Sequence, residues 1–151
     1  MQTNDCVIEI SNVWKIFGNR PEVALRAIRE EGLTKAEVLA KYNAVVGVAD
    51  VSLSVNRGEI FCIMGLSGSG KSTLLGLVTG VLQPAKGSLH VLGQDFATMN
   101  GAARDKFRAA HMGIIFQQFN LLPYLSVIDN VMLGIEFSSD RKQACGETAA
   151  V

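Results

Sequence analysis

Apolar residues alternate along some stretches of the chain and run together in others, and the two patterns predict different elements. Between residues 6 and 17, Val7, Ile8, Ile10, Val13 and Ile16 alternate loosely, which predicts a strand near the N-terminus. Residues 46–55 alternate more cleanly, with Val51, Leu53 and Val55 on one face. Residues 59–64, Glu-Ile-Phe-Cys-Ile-Met, are apolar on both faces, as a buried parallel strand should be. Asn56-Arg57-Gly58 reads as a tight turn into that strand, so 46–55 and 59–64 are expected to form a hairpin.

A helical pair interrupts this β-rich region. Pro21 suits the first position of a helix over about 22–31, closed by Gly32. Thr34-Lys35-Ala36-Glu37 is a capping box that opens a second short helix reaching Tyr42. The pair therefore reads as an insertion over 19–45. Further along, a helix beginning at Lys71 carries Leu74, Leu75, Leu77 and Val78 and stops before Gly80 and Pro84. Residues 87–93 read as a short strand, 104–111 as a helix, and Gly113-Ile-Ile-Phe-Gln117 as a compact apolar strand. Asn120 and Leu121-Leu122-Pro123-Tyr124-Leu125 form a loop with exposed apolar residues. Ser126 caps a helix through Asn130, Val131 and Leu133, and the tail over 140–151 has helical composition despite Gly146.

The chemistry concentrates where the apolar segment 59–64 meets the helix at Lys71. Residues 65–73 read Gly-Leu-Ser-Gly-Ser-Gly-Lys-Ser-Thr, a phosphate-binding loop. Gly65, Ser67, Gly68, Ser69 and Gly70 would turn backbone N–H groups toward nucleotide phosphates, and the helix N-terminus adds its positive dipole end. Lys71 would reach the β/γ-phosphates, Ser72 would ligate Mg²⁺, and Thr73 completes the motif.

Composition limits the alternatives. The 151 residues are enough for one domain with a core. Hydrophobic residues make up 48% and mean hydropathy is +0.26, yet no apolar run approaches the roughly 18 residues of a membrane span. Met1-Gln2-Thr3-Asn4-Asp5 lacks the basic-then-apolar shape of a signal peptide. Formal net charge is zero, so nothing points to nucleic acid. Cys6, Cys62 and Cys145 show no metal-ligand spacing and fit a reducing cytoplasm, with Cys62 a small core residue of its strand. His90 and His111 stand alone and are read as structural.

Together these residues resemble the ATP-binding subunits of ABC transporters, over roughly 7–137. Phe17, just before Gly18, matches the aromatic that stacks on adenine, with nearby Trp14 as its rival. Residues 65–73 match the phosphate loop, and Gln117 in Ile-Ile-Phe-Gln matches the glutamine that contacts Mg²⁺ and the attacking water. The resemblance implies an α/β P-loop NTPase fold, with an N-terminal antiparallel β-subdomain and a partial RecA-like core. It makes 1–151 one partial nucleotide-binding domain, with 113–151 holding the glutamine loop and the start of the helical subdomain. ATP and Mg²⁺ are the implied cofactors. A second ATPase subunit, in a homodimer, and membrane permease subunits are the implied partners. The loop 121–125 would face the permease, and the protein would lie on the inner face of the cell membrane.

The subfamily features point two ways. The insertion at 19–45, Gly47-Val48 and the wording of 58–73 look like glycine betaine, proline betaine and choline importers. The wording of 108–127 looks more like lipoprotein-release and macrolide-export ATPases. The insertion carries more weight, so osmolyte uptake is the expected role.

An ABC ATPase also uses a Leu-Ser-Gly-Gly-Gln signature, a Walker B Asp-Glu and a switch histidine, and none occurs in the 151 residues. Glu136 follows Val-Met-Leu-Gly-Ile but comes too early and lies in a predicted helix. Without those groups nothing orients the attacking water, so these residues are expected to bind ATP without hydrolysing it. The expected account is the N-terminal part of a longer subunit, cut within the helical subdomain. The rival is a non-catalytic nucleotide-binding remnant.

Overall fold

The computed structural model describes residues 5–115, 121–136 and 143. The first strand, β1 (Cys6–Phe17), is followed by two helices, α1 (Pro21–Glu31) and α2 (Lys35–Tyr42), and the chain returns as β2 (Val45–Asn56). Helix α3 (Lys71–Val78) comes next, then β3 (Lys86–Val91), β4 (Gln94–Asp95), α4 (Gly101–His111) and α5 (Val127–Glu136). The chain divides into two compact units, 1–108 and 109–151.

The first unit is built on one antiparallel sheet of order β2-β1-β3-β4. The two long strands do not run evenly. Asn12 and Asp50 both take left-handed backbone conformations, with φ of 50° and 51°, which Asn and Asp tolerate better than other side chains. The pairing register shifts between Ile10↔Leu53 and Val13↔Val51, and again before Lys15↔Val48. Asn12 Nδ2 donates to Asp50 Oδ1 at 3.1 Å, and its backbone N–H donates to Ser52 Oγ at 2.8 Å. Side chains therefore close the gap that the irregular ladder leaves open. The shift also moves the buried face of β2: Val46 and Val48 are buried before Asp50, and Val55 after it.

Beyond Asn12, β1 alternates. Ile16, with half-buried Trp14, packs among Ala24, Leu25, Val38, Ala44 and Val46, with Ile28, Leu33 and Tyr42 at the margin. Helices α1 and α2 thus cover one face of the sheet. Ala24 and Val38 are 0% exposed, and burying a valine is worth ~1.5 kcal/mol or more, so the helical pair shares the core of the sheet. Both helices end as their sequence predicts. Pro21 opens α1 and Gly32 closes it at φ 70°. Thr34 and Glu37 form the reciprocal capping box of α2, which ends on Asn43 in the left-handed region.

Four expectations are corrected. Residues 59–64 form no strand, and β2 pairs with β1. Among the described residues nothing pairs with 59–64, so Ile60 and Met64 stand 92% and 90% exposed. An apolar run becomes a buried strand only where a ladder and a second layer receive it. Cys62, expected in that strand's core, is exposed for the same reason. Of the strand expected over 113–117, residues 113–115 form none and Ile115 is exposed, while 116 and 117 lie outside the described residues. Strand β4 was not anticipated; it pairs with β3 through His90↔Asp95 and Val91↔Gln94. It positions Phe96, which is fully buried and meets Phe107 of α4 edge-on, ring centroids 5.3 Å apart. The tail over 140–151, read as helical, lies outside the described residues except for Gln143.

In the second unit, Ser126 and Asp129 cap α5. The Asp129 N–H donates to Ser126 Oγ at 3.2 Å, and Ser126 Oγ donates to Asp129 Oδ2 at 2.6 Å. No helix among the described residues is long and apolar enough to cross a membrane.

Candidate functional site

The phosphate-loop sequence folds into a turn that ends at the first residue of α3. Ser69 N–H donates to the Leu66 carbonyl at 3.2 Å, and Leu74 N–H to the Gly70 carbonyl at 2.8 Å. Gly68 and Gly70 have φ of 77° and 97°, conformations that cost a side-chain-bearing residue about 1–2 kcal/mol. Gly70 is doubly constrained, because a Cβ there would lie 2.2 Å from the Gly47 carbonyl oxygen. At Gly65 a Cβ would lie 2.8 Å from Ser69 Oγ. The loop is thus tight at Gly65 and Gly70, and Gly70 is seated directly on β2.

Lys71 turns its ammonium back over this loop. Nζ donates to the Gly65 carbonyl at 2.8 Å, to the Leu66 carbonyl at 2.6 Å and to Ser69 Oγ at 3.3 Å. These bonds hold a positive charge at the start of α3, where the unpaired N–H groups of a helix end already favour anions. Ser67 and Ser72 are exposed, and Thr73 is half-buried. A cavity of about 290 Å³ borders the loop, lined by Gly47, Val48, Ser69, Gly70 and Lys71, and by Lys35 from α2. Lys35 was not singled out in the sequence. Nothing local marks it, since its place at the cavity depends on how α2 packs on the sheet.

Phe17 ends β1 as the partner of Val45. It lies on the face opposite Trp14 and Ile16, and Lys15 Nζ stands over its ring, 5.2 Å from the centroid. Lys15 is itself held by a 2.8 Å bond to the Gln83 carbonyl. The ring is 40% exposed, leaving surface on which a flat ligand can lie. Just after it, Gly18 is pressed against the returning end of the helical pair, where a Cβ would lie 3.1 Å from Ala44 Cβ. Phe17 therefore sits at a closed neck, with its backbone fixed from both sides. Trp14, the rival platform, packs against the α1–α2 core instead.

Gly47 joins the two halves of the site. A Cβ on Gly47 would lie 2.7 Å from Phe17 Cε2 and 3.0 Å from Thr73 Cγ2. The structure thus brings Phe17, Thr73 and Gly70 around one residue of β2, which sequence reasoning did not single out as part of the site. Gln117 lies outside the described residues. Among the described residues, no group of three or more His, Cys, Asp or Glu side chains could hold a metal ion. A divalent cation here would depend on Ser72 and on the oxygens of a bound phosphate chain.

In the second unit, Leu121, Tyr124, Val127, Ile128 and Val131 are exposed. An apolar cavity of about 280 Å³ lies among Leu121, Leu122, Pro123, Leu125, Val127 and Val131, with Asn130 as its polar member.

Comparisons with known proteins point to one family. A family model described as "ABC transporter" matches residues 48–150. The chain is 41% identical over 131 residues to the glycine betaine/proline betaine transport system ATP-binding protein ProV of Escherichia coli (strain K12), covering 87% of this chain and 32% of that protein. It is 35% identical over 143 residues to the glycine betaine/carnitine transport ATP-binding protein GbuA of Listeria monocytogenes, covering 95% of this chain and 36% of that protein. The chain thus spans about a third of the length of these curated relatives. Among solved structures, the dimeric ATP-binding cassette MJ0796 in a post-hydrolysis state bound to ADP and Pi superposes with a TM-score of 0.65 at 27% identity, covering 92% of this chain and 54% of that one.

Proposed function

The chain belongs to the ABC transporter family, and on that premise we propose that it is the nucleotide-binding part of an ATP-binding subunit serving osmolyte uptake. What supports this most directly is the arrangement around Gly47, where an aromatic ring with open surface stands beside a glycine loop and a helix N-terminus. ATP would lay its adenine on Phe17 and its β/γ-phosphates on the loop 65–73. Lys71 would exchange its bonds to the loop carbonyls for charge-assisted bonds to phosphate oxygens. Thr73 would close the loop, and Ser72 would offer its hydroxyl to Mg²⁺, with Gln117 as a further ligand that also positions water.

In this reading the 151 residues bind ATP without turning it over. Phosphoryl transfer needs a Mg²⁺ held in place and a water aimed in line at the γ-phosphate. The signature loop, the Walker B Asp-Glu and the switch histidine that serve this in the family are absent from the sequence. Calorimetric titration of the chain with MgATP, and with AMP as control, tests the proposal. Binding of ATP and not AMP, with no phosphate release, supports it. Equal binding of both, or of neither, refutes it.

The substrate class follows from the relatives, whose names give glycine betaine, proline betaine and carnitine. Their alignments cover 131 and 143 residues, more of the chain than the 48–150 of the family model. Within a working transporter, a second ATPase subunit would pair with this one, and both would lie against the permease on the cytoplasmic side. The exposed loop 121–125, with Tyr124 at 77% exposure, is the proposed permease contact. Tyr124→Glu in the assembled transporter should uncouple ATP hydrolysis from transport, and unchanged coupling would remove the loop from that role.

A further inference from the structure

Gly47 carries neither charge nor hydrogen-bonding side chain, yet Phe17, Thr73 and Gly70 all converge on it. Its missing Cβ leaves the space into which the Phe17 ring edge fits. A Cβ there would lie 2.7 Å from Phe17 Cε2, 3.3 Å from Phe17 Cδ2 and 3.0 Å from Thr73 Cγ2. Contacts under about 3 Å cannot persist between carbon atoms, so one neighbour would have to move. Its backbone is engaged as well, because the Gly47 carbonyl lies where a Cβ on Gly70 would fall.

The two neighbours are not equally free to move. Thr73 belongs to the first turn of α3, which is anchored by buried Leu74 and Leu77 and by the Leu74 N–H bond to the Gly70 carbonyl. Phe17 is 40% exposed at the end of its strand, with the Lys15 ammonium over its ring. A methyl group at position 47 would therefore displace the ring and leave the helix where it is.

We infer that Gly47 is a positioning residue that sets the spacing between the Phe17 ring and the phosphate loop, so that it tunes affinity for a whole nucleotide and not for its phosphate chain. This rests on the proposed reading of Phe17 as the base platform. A side chain at 47 would turn the ring off its preferred rotamer or swing it outward, and either spoils stacking.

The test compares two ligands across a double-mutant cycle in the 151-residue chain: MgATP and inorganic tripolyphosphate, with wild type, Gly47→Ala, Phe17→Ala and the double variant. Removing the ring should lower ATP affinity about 5- to 150-fold, the range for loss of one stacked base. Gly47→Ala should lower it about two- to tenfold, the range for an off-rotamer ring, with tripolyphosphate affinity unchanged. In the Phe17→Ala background, Gly47→Ala should have no further effect, because the space it needs is already vacant.

Equal loss of both ligands in Gly47→Ala, or an undiminished effect in the Phe17→Ala background, would overturn the inference. Should Gly47→Ala fail to fold, the double variant is expected to fold and to bind tripolyphosphate; if it too fails, the ring is not what Gly47 accommodates. A wild-type chain that binds tripolyphosphate and ATP equally removes Phe17 as platform and the inference with it. A wild-type chain that binds neither refutes the proposed function itself.

Discussion

Asn130 holds the Leu122 peptide by both of its polar atoms. Its Oδ1 accepts from the Leu122 N–H at 2.8 Å, and its Nδ2 donates to the Leu122 carbonyl at 3.1 Å. The same Nδ2 reaches the Leu125 carbonyl at 3.2 Å and the Ser126 carbonyl at 3.0 Å. One amide on α5 therefore fixes the loop 121–125 that presents the exposed Tyr124. Asparagine is a poor residue for a helix interior because its side chain competes for backbone groups, and here that competition is what shapes the loop.

Replacing Asn130 with alanine takes the partner from the half-buried Leu122 N–H and Leu125 carbonyl, while the Leu122 and Ser126 carbonyls keep the N–H groups of Leu125 and of residue 130; the cost is about 1–3 kcal/mol. Asn130→Asp should be at least as harmful, since a carboxylate can accept from Leu122 N–H but sets negative charge against three carbonyl oxygens. Hydrogen exchange is the readout: the Leu122 amide should lose protection in both variants while amides of the first unit keep theirs. Unchanged protection at Leu122 would mean the loop is held by something else.

At the phosphate loop, the Lys71 ammonium bonds, among the described residues, to Gly65, Leu66 and Ser69, none of them in the core, so its removal should cost no core packing. Lys71→Ala is expected to leave thermal stability nearly unchanged. Affinity for ATP and for tripolyphosphate should fall together by about 10- to 150-fold, the worth of a hydrogen bond to a charged group. A fall for ATP alone would place Lys71 near the base and not the phosphates.

Gly68 and Gly70 separate backbone strain from steric conflict. Both have positive φ, but nothing lies within 4 Å of a Cβ at Gly68, whereas at Gly70 the Gly47 carbonyl oxygen is 2.2 Å away. Gly68→Ala should destabilise the chain by about 1–2 kcal/mol, the left-handed penalty alone. Gly70→Ala should cost clearly more, because β2 or the start of α3 must also yield. Urea unfolding measures both, and equal costs would mean that α3 is not seated on β2 at Gly47.

What was legible in the sequence was whatever neighbouring residues decide among themselves. Pro21, Gly32, the Thr34–Glu37 box and Ser126 each settle a helix end locally, and each appears where the sequence places it. The alternation of 6–17 and 46–55 located both long strands. Their mutual pairing was missed, because the turn at 56–58 suggested a nearer partner for β2 and the Asn12–Asp50 irregularity exists only across the ladder. The run 59–64 reports that these side chains suit a buried setting, which no pattern within the run can supply. At the site, the phosphate motif was legible because its residues are consecutive. Gly47 was not, since its role depends on Phe17, thirty positions earlier, and on Thr73 well after it.

The capping box of α2 carries a pH dependence whose sign is fixed by its bonds. Glu37 Oε2 accepts from the Thr34 N–H and from Thr34 Oγ1, each at 2.7 Å, and these hydrogen bonds hold its carboxyl below the ordinary value of 4.5. A carboxylate with a depressed folded pKa stabilises the fold at pH values above its unfolded pKa, and the contribution fades as pH falls through the lower folded value. The start of α2 should therefore loosen in acid, below about pH 4.5, and stay intact at neutral pH. Glutamine also completes a capping box, so Glu37→Gln should keep the helix start while abolishing its acid response. The Thr34 amide resonance, followed by NMR through an acid titration, reports both. In the wild type it should move with a midpoint below the ordinary glutamate value, and in Glu37→Gln it should not follow that titration. A wild-type midpoint at or above the ordinary value would show that Glu37 does not hold the cap in solution, and α2 would then rest on the packing of Val38 and Tyr42 and on its Asn43 end.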